Sequence, residues 1–412
     1  MMYNKELVKN AYKNAPMYMK LIQAGDKEDI KELPVIDKNY VIENESGAIA
    51  ADSIMLYYAD KLIKTRTSGS TGKYMEIFWK HTDYKKSMMP LWLLRKKYYG
   101  IEPNDKLCFF FTLGEEKYEE RNKIVENNQV GYSKSNLTME SIRDIYMDIC
   151  EERPKWMLLQ PSMAVLLCQC VRKYGLSPVE SLKYIEFSGE ILTEQVRNDV
   201  KEVFGCAVAN QYGANEFNSI AYECPCGNMH VMISNVYVEV MIDNEAVPEG
   251  TEGELIITTK TNTAMPLIRY KIGDMGCVKK SSCNCGNSKP VLELTSGRTN
   301  DWILCENGEK KMAYVLVRAI DCINNISEGA IKQFQIIQKA VNKFVINLVM
   351  DEDEREYFVA KGMEQEFKKY IADDEVSKSE FVFEYYDEMF PEQILGGNGL
   401  YNGKFKYFIR EI

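Results

Sequence analysis

Two groups of residues in this chain have types and spacings that can do chemistry. The first is "TRTSGSTGKYMEIFW", residues 65–79, where Thr67, Ser68, Ser70 and Thr71 alternate with Gly69 and Gly72 and lead to Lys73. Backbone N–H groups bared by glycine, together with hydroxyl donors, can wrap a polyphosphate. A Walker loop needs Gly, four residues, then Gly-Lys-Ser/Thr. Counting back from Gly72, Thr67 stands where the first glycine belongs, and Tyr74 follows Lys73. The Walker reading fails at both positions, and G-x-G-x-x-G is absent.

The second group is "ECPCGNMH" with "SSCNCGNSKP". Thiolates and an imidazole separated by tight turns suit tetrahedral Zn²⁺. Five candidates compete for four positions: Cys224, His230, Cys283 and Cys285 are the expected ligands, with Cys226 as the substitute. Four such ligands leave no open coordination position, so the expected role is structural. The site would pin the segment after "YGANE" to the loop after Asp274. No basic helix follows, so a zinc-finger nucleic-acid module is not expected. His81 is expected as a partly buried structural histidine. Cys108, Cys150, Cys168, Cys170, Cys206, Cys277, Cys305 and Cys322 sit mostly in apolar runs, without the His/Asp pairing a nucleophile needs.

The chain that must position these groups has 412 residues, too long for one compact core. Its 61 acidic residues exceed its 51 basic ones, giving −10. That balance argues against nucleic acid or an anionic membrane as partner. The opening segment carries scattered charges and reads as no export signal. No window approaches the apolar length of a membrane span. Twelve cysteines in such a chain read as reduced thiols or metal ligands, so the expected location is cytoplasmic.

Coarse periodicity gives the elements. A helix start is expected at Asp37 after Pro34, a buried strand over 105–114, a helix over 161–175 closed by Gly175, a strand over 183–190 and a helix over 193–205. This alternation predicts an α/β fold with mainly parallel sheets. From 236 two alternating strands joined by a Pro/Gly/acid loop predict an antiparallel sub-domain. The last hundred residues predict a small α+β domain: a hairpin turning near Val341-Asn342, one helix over "REYFVAKGMEQEFKKYI", and a strand in "SEFVFEYYDEMF". The boundary is set near 300, giving domains 1–299 and 300–412.

Five segments in order, "TSGSTGK", "FSGE" (187–190), "NQYGANE" (210–216), "MPLIRYKIGD" (265–274) and "SGRTND" (296–301), give a resemblance to the acyl-adenylate-forming superfamily. "LPVIDK" and "GKFKYFI" place it nearest the phenylacetate–CoA ligase branch and the related capsule-biosynthesis adenylating proteins, over essentially the whole chain. The resemblance implies that Ser68, Gly69, Ser70, Thr71, Gly72 and Lys73 cradle the β- and γ-phosphates of ATP. It implies that Gly189, Glu190, Gln211, Tyr212 and Gly213 surround adenine and α-phosphate, and that Glu216 holds Mg²⁺. Asp274 would accept the ribose hydroxyls, and Arg298 would contact ribose or phosphate beside a hinge at Asn300, where the family commonly has aspartate. Lys404, with Lys406 competing, matches the catalytic lysine of a mobile C-terminal lid.

The implied reaction joins a small-molecule carboxylic acid to AMP and passes the acyl group to a thiol. That thiol is coenzyme A or, alternatively, a carrier-protein pantetheine arm. The 109–113 strand end, the 161–170 helix and Phe187, with Phe109, Phe110 and Phe111, are expected to bound an apolar, aromatic-lined acid pocket. A nucleotide-binding regulator without transfer activity is the reading from another class. The protein is expected to be a monomer or homodimer.

Overall fold

The computed structural model describes residues 3–21, 30–67, 75–111, 122–134, 138–190, 192–298, 302–306, 308–327, 330–372, 374–387 and 407–412. Two compact units result. One joins Met1–Pro103 to Ala209–Thr295, and the other joins Asn104–Val208 to Ser296–Ile412.

The first unit is built on antiparallel strands. Neighbours run Glu245–Ala246, Val236–Ile242, Gly253–Thr259, Tyr270–Lys279, Val291–Arg298, Met229–Val231, Asn218–Glu223, Ala207–Ala214. The hairpin expected from 236 onward pairs Val238 with Ile257 and Val240 with Leu255. A separate two-stranded ribbon pairs Ile63–Arg66 with Glu76–Trp79. The core around Tyr18, Trp79, Ile257 and Leu267 is sealed, each side chain being 2 % exposed or less. Asp37 caps the helix Lys38–Glu43, its Oδ1 accepting the Tyr40 N–H at 2.8 Å. Just before it, Ile36 bridges to Tyr270, so the "LPVIDK" segment is laid along the "RYK" segment by two backbone hydrogen bonds.

The second unit carries the parallel sheet. Its strands Leu107–Phe111, Gln129–Ser133, Trp156–Leu159 and Tyr184–Ser188 pair in parallel, with Lys123–Glu126 antiparallel at the edge. Helices Met139–Glu152, Pro161–Tyr174 and Glu194–Phe204 contribute to the core packed on one face. Pro161 opens its helix with the missing N–H at no cost, and Gly175 closes it at φ 61°. Thr193 and Gly205 bracket the next helix in the same way. A four-stranded sheet follows, ordered Glu380–Tyr386, Lys343–Val349, Gln333–Ala340, Phe408–Arg410. Its hairpin turns at Val341-Asn342.

One expected helix is two. Glu352–Ala360 ends and Met363–Tyr370 begins across Gly362, whose φ of +68° lies in the left-handed region. The apolar periodicity continues through the break, which is why a single helix was expected; the backbone reversal depends on one glycine.

Candidate functional site

In the first unit, the ribbon brings together Thr67 and Met75, which flank residues 68–74. The Thr67 N–H donates to the Met75 carbonyl at 2.9 Å, and the Met75 N–H donates to Thr67 Oγ1 at 3.0 Å. Ser68, Gly69, Ser70, Thr71, Gly72 and Lys73 themselves lie outside the described residues, as do Asn300, Lys404 and Lys406. Arg298 ends the strand Val291–Arg298, its side chain likewise outside.

The same unit brings together residues far apart in sequence. The Tyr212 hydroxyl donates to Asp274 Oδ2 at 2.7 Å, joining "NQYGANE" to "MPLIRYKIGD". Gly213 sits where the register slips against Asn218–Glu223. A Cβ there would lie 2.5 Å from the Asn218 carbonyl oxygen, so only glycine fits. Gln211 lies opposite Tyr222 across the same pair of strands. Glu216 is 8 % exposed, and the Tyr270 hydroxyl donates to its Oε1 at 3.4 Å. Burial first, then the adjacent Glu216, holds the Tyr270 phenol well above its ordinary range, so it remains a donor. A buried carboxylate with a fixed donor is a hard oxygen ligand of the kind Mg²⁺ takes.

Arg269 is a positioning residue that sequence reasoning missed. Buried at φ 50°, it reaches Glu239 at 3.2 Å and the carbonyls of Lys31 and Leu33. It thereby anchors the strand carrying Tyr270 and Asp274. An arginine inside the apolar run "MPLIRYK" was the available signal, since a charge is buried only when paired.

In the second unit, Gly189 and Glu190 follow the strand Tyr184–Ser188, with Gly189 at φ 88°. The Glu190 carboxylate is turned to the start of the helix Pro161–Tyr174, where it accepts from the Ser162 N–H at 3.0 Å and the Ser162 hydroxyl at 2.9 Å.

The aromatic residues expected to bound one acid pocket do not share a face. Alternation puts Phe110 and Phe187 toward the helix-covered core, where Phe187 is fully buried, while Phe109 and Phe111 face each other on the opposite side with ring centroids 6.3 Å apart. The Phe109 ring also occupies the space where a Cβ on Gly131 would stand. His81, expected to be partly buried, is exposed as the first residue of the helix His81–Tyr99.

The four expected metal ligands converge. One ligand atom from each of Cys224, His230, Cys283 and Cys285 lies within 4.8 Å of the others. Cys224 follows the strand Asn218–Glu223, His230 lies in Met229–Val231, and both remaining thiols sit between Tyr270–Lys279 and Val291–Arg298. The surroundings suit thiolates. Cys283 Sγ faces the Cys285 N–H at 3.5 Å and Asn228 Nδ2 at 3.3 Å, and Cys285 Sγ accepts from the Asn287 N–H at 3.4 Å. His230 Nδ1 meets the Lys289 carbonyl at 2.9 Å, which turns Nε2 toward Cys285 Sγ at 3.3 Å. The Cys285 N–H lowers the Cys283 thiol to about 6, while burial raises Cys224 to about 12. The Cys224 and Cys283 sulfurs lie 3.6 Å apart.

Residues 65–265 match the family model described as AMP-binding enzyme. The chain is 34 % identical over 165 residues to a phenylacetate–coenzyme A ligase of Thermus thermophilus, covering 38 % of this chain and 37 % of that one. It is 24 % identical over 383 residues to Protein CapK of Staphylococcus aureus, covering 86 % of this chain and 79 % of that one. A crystal structure of 2-hydroxyisobutyryl-CoA ligase in the postadenylation state shares the fold, with a TM-score of 0.70 at 16 % identity over 99 % of this chain and 88 % of that one. The middle of the chain is thus similar to AMP-binding enzymes, and most of its length is similar to Protein CapK and to a phenylacetate–coenzyme A ligase of Escherichia coli, 22 % identical over 73 % of this chain and 70 % of that one.

Proposed function

We propose that this chain is an ATP-dependent ligase that activates a small carboxylic acid as its acyl-adenylate and passes the acyl group to the thiol of coenzyme A. The carrying observation is the Tyr212–Asp274 hydrogen bond together with buried Glu216, which joins a phenol to a hydroxyl-accepting carboxylate across strands that are not neighbours and keeps a hard oxygen ligand in the turn after Tyr212. The relatives named phenylacetate–coenzyme A ligases support coenzyme A as acceptor.

In this reading the acid's carboxylate oxygen attacks the α-phosphorus of ATP and pyrophosphate leaves. Residues 68–73 would hold the departing phosphates through backbone N–H and hydroxyl donors. Glu216 would hold Mg²⁺, Asp274 would take the ribose hydroxyls, Gly189 and Glu190 would contact the base through their backbone, and Gln211, Tyr212 and Gly213 would contact adenine and α-phosphate. Lys404 would steady charge developing between carboxylate and α-phosphate. Residues 300–412 would then act as a lid turning about Asn300 beside Arg298, so that a thiol reaches the mixed anhydride and AMP departs. Cys224, His230, Cys283 and Cys285 would hold a structural Zn²⁺, a role supported by the N–H donors on their sulfurs.

Pyrophosphate release should be measured with a panel of aryl and aliphatic acids, then coenzyme A added to the best substrate. Lys404→Ala is expected to slow adenylation by about a hundred- to a thousandfold, while consumption of supplied acyl-adenylate by coenzyme A stays nearly unchanged. Equal loss in both halves would reject the role given to Lys404. Tight ATP binding without pyrophosphate release for any acid would reject the ligase.

A further inference from the structure

The Cys/His cluster contains one thiol more than a tetrahedral ion uses. Cys226 is exposed, whereas Cys224 and His230 are 2 % and 1 % exposed and Cys283 and Cys285 are half-buried. Its backbone is nevertheless tied to Cys283 by the Asn228 side chain. Its position is built rather than incidental. The turn beginning at Cys224 is closed by the Gly227 N–H on the Cys224 carbonyl at 2.9 Å, with Gly227 at φ 79°. The Asn228 side-chain amide then donates to the Cys226 carbonyl and to Cys283 Sγ, each at 3.3 Å. One amide group therefore holds the backbone of the exposed thiol against the sulfur of a ligand from another loop.

We propose that Cys226 is an oxidation site through which a hydroperoxide dismantles the metal site, forming a Cys226–Cys283 disulfide and releasing the ion. The inference rests on the metal reading of the four ligands. The Cys226 thiolate attacks the distal peroxide oxygen; the O–O bond breaks, the proximal oxygen leaves as alkoxide or hydroxide and takes a proton, and Cys226 becomes a sulfenic acid. The Cys283 thiolate then attacks the sulfenyl sulfur; the S–S bond forms and hydroxide leaves, taking a proton to become water. Two thiols lose two electrons, and one hydroperoxide is reduced to water and an alcohol, or to two waters from hydrogen peroxide. Cys283 is the resolving partner because it approaches from a separate loop, whereas Cys224 is buried and only two residues away in the same turn. With Cys283 consumed, three ligands remain, which is too few for a closed structural site.

The test uses the full chain, purified without chelators, and its Cys226→Ser and Cys226→Ala variants. Elemental analysis comes first, and one zinc per chain in all three is expected because Cys226 is not among the converging four. Hydrogen peroxide is then added with a zinc-binding chromophore present, and peptides are mapped by mass spectrometry. The wild-type protein is expected to release its zinc with formation of the Cys226–Cys283 disulfide, and both variants to release it about tenfold more slowly or less. Equal release rates in all three, or a disulfide between Cys283 and a residue other than Cys226, would overturn the proposal while leaving the metal site standing. Protein that contains no zinc before oxidant is added would overturn the metal reading and this inference with it.

Discussion

Tyr212 illustrates how much a single side chain contributes to the ordering of this site. Its ring is half-buried and its hydroxyl is spent on Asp274, so the carboxylate is oriented before any ligand arrives. A hydrogen bond to a charged acceptor is worth about 1.5–3 kcal/mol, which converts to roughly ten- to a hundredfold in binding. Tyr212→Phe is accordingly expected to raise the KM for ATP by about tenfold with a smaller change in kcat. Steady-state pyrophosphate release at varied ATP checks this, and an unchanged KM would show that Asp274 is oriented by other contacts. Neither residue announces this pairing in sequence, because 62 positions separate them.

At the level of elements, the strand Tyr270–Lys279 depends on what precedes it. Arg269 ties its start to Glu239 in the neighbouring hairpin and to the carbonyls of Lys31 and Leu33, while Ile36 bridges beside it. Arg269→Ala would strand a carboxylate that is 5 % exposed at its side chain. Leaving one partner of a buried pair uncompensated costs about 3–5 kcal/mol. Urea unfolding followed at the first unit's tryptophans should show the unfolding free energy falling by that amount, and Glu239→Leu in the same chain should recover part of the loss. A midpoint within error of wild type would contradict the anchoring role. The helix break at Gly362 makes the complementary point: amphipathic spacing marks where helix exists, and a single positive φ decides where it stops.

For the molecule as a whole, the cysteine cluster has the longest structural reach. It gathers ligands from the turn after Glu223, from Met229–Val231 and from the connection between Tyr270–Lys279 and Val291–Arg298. A closed ion there would cross-link segments up to 61 residues apart in number, Cys224 to Cys285. Chelation is therefore expected to lower the thermal midpoint by about 5 °C or more. One equivalent of Zn²⁺, not Mg²⁺, should restore it because the donors are soft. No shift on chelation of zinc-loaded protein would remove the bracing role. What the sequence determined by itself was local: caps at Asp37, Thr193, Gly175 and Gly205, strand alternation, the order of the nucleotide-type segments, and the ligand types at Cys224, His230, Cys283 and Cys285. Caps, alternation and the type of each ligand depend on residues within a few positions of one another, where propensity, capping and donor chemistry act directly. The tertiary structure decided the rest. It set Tyr212 on Asp274, buried Arg269 against Glu239, turned Glu190 to Ser162, and split Phe187 from Phe109 and Phe111. It also left Cys226 exposed beside four converging ligands. Those outcomes depend on strand register and on which face each strand buries, and both are settled by contacts between segments that the chain order keeps far apart.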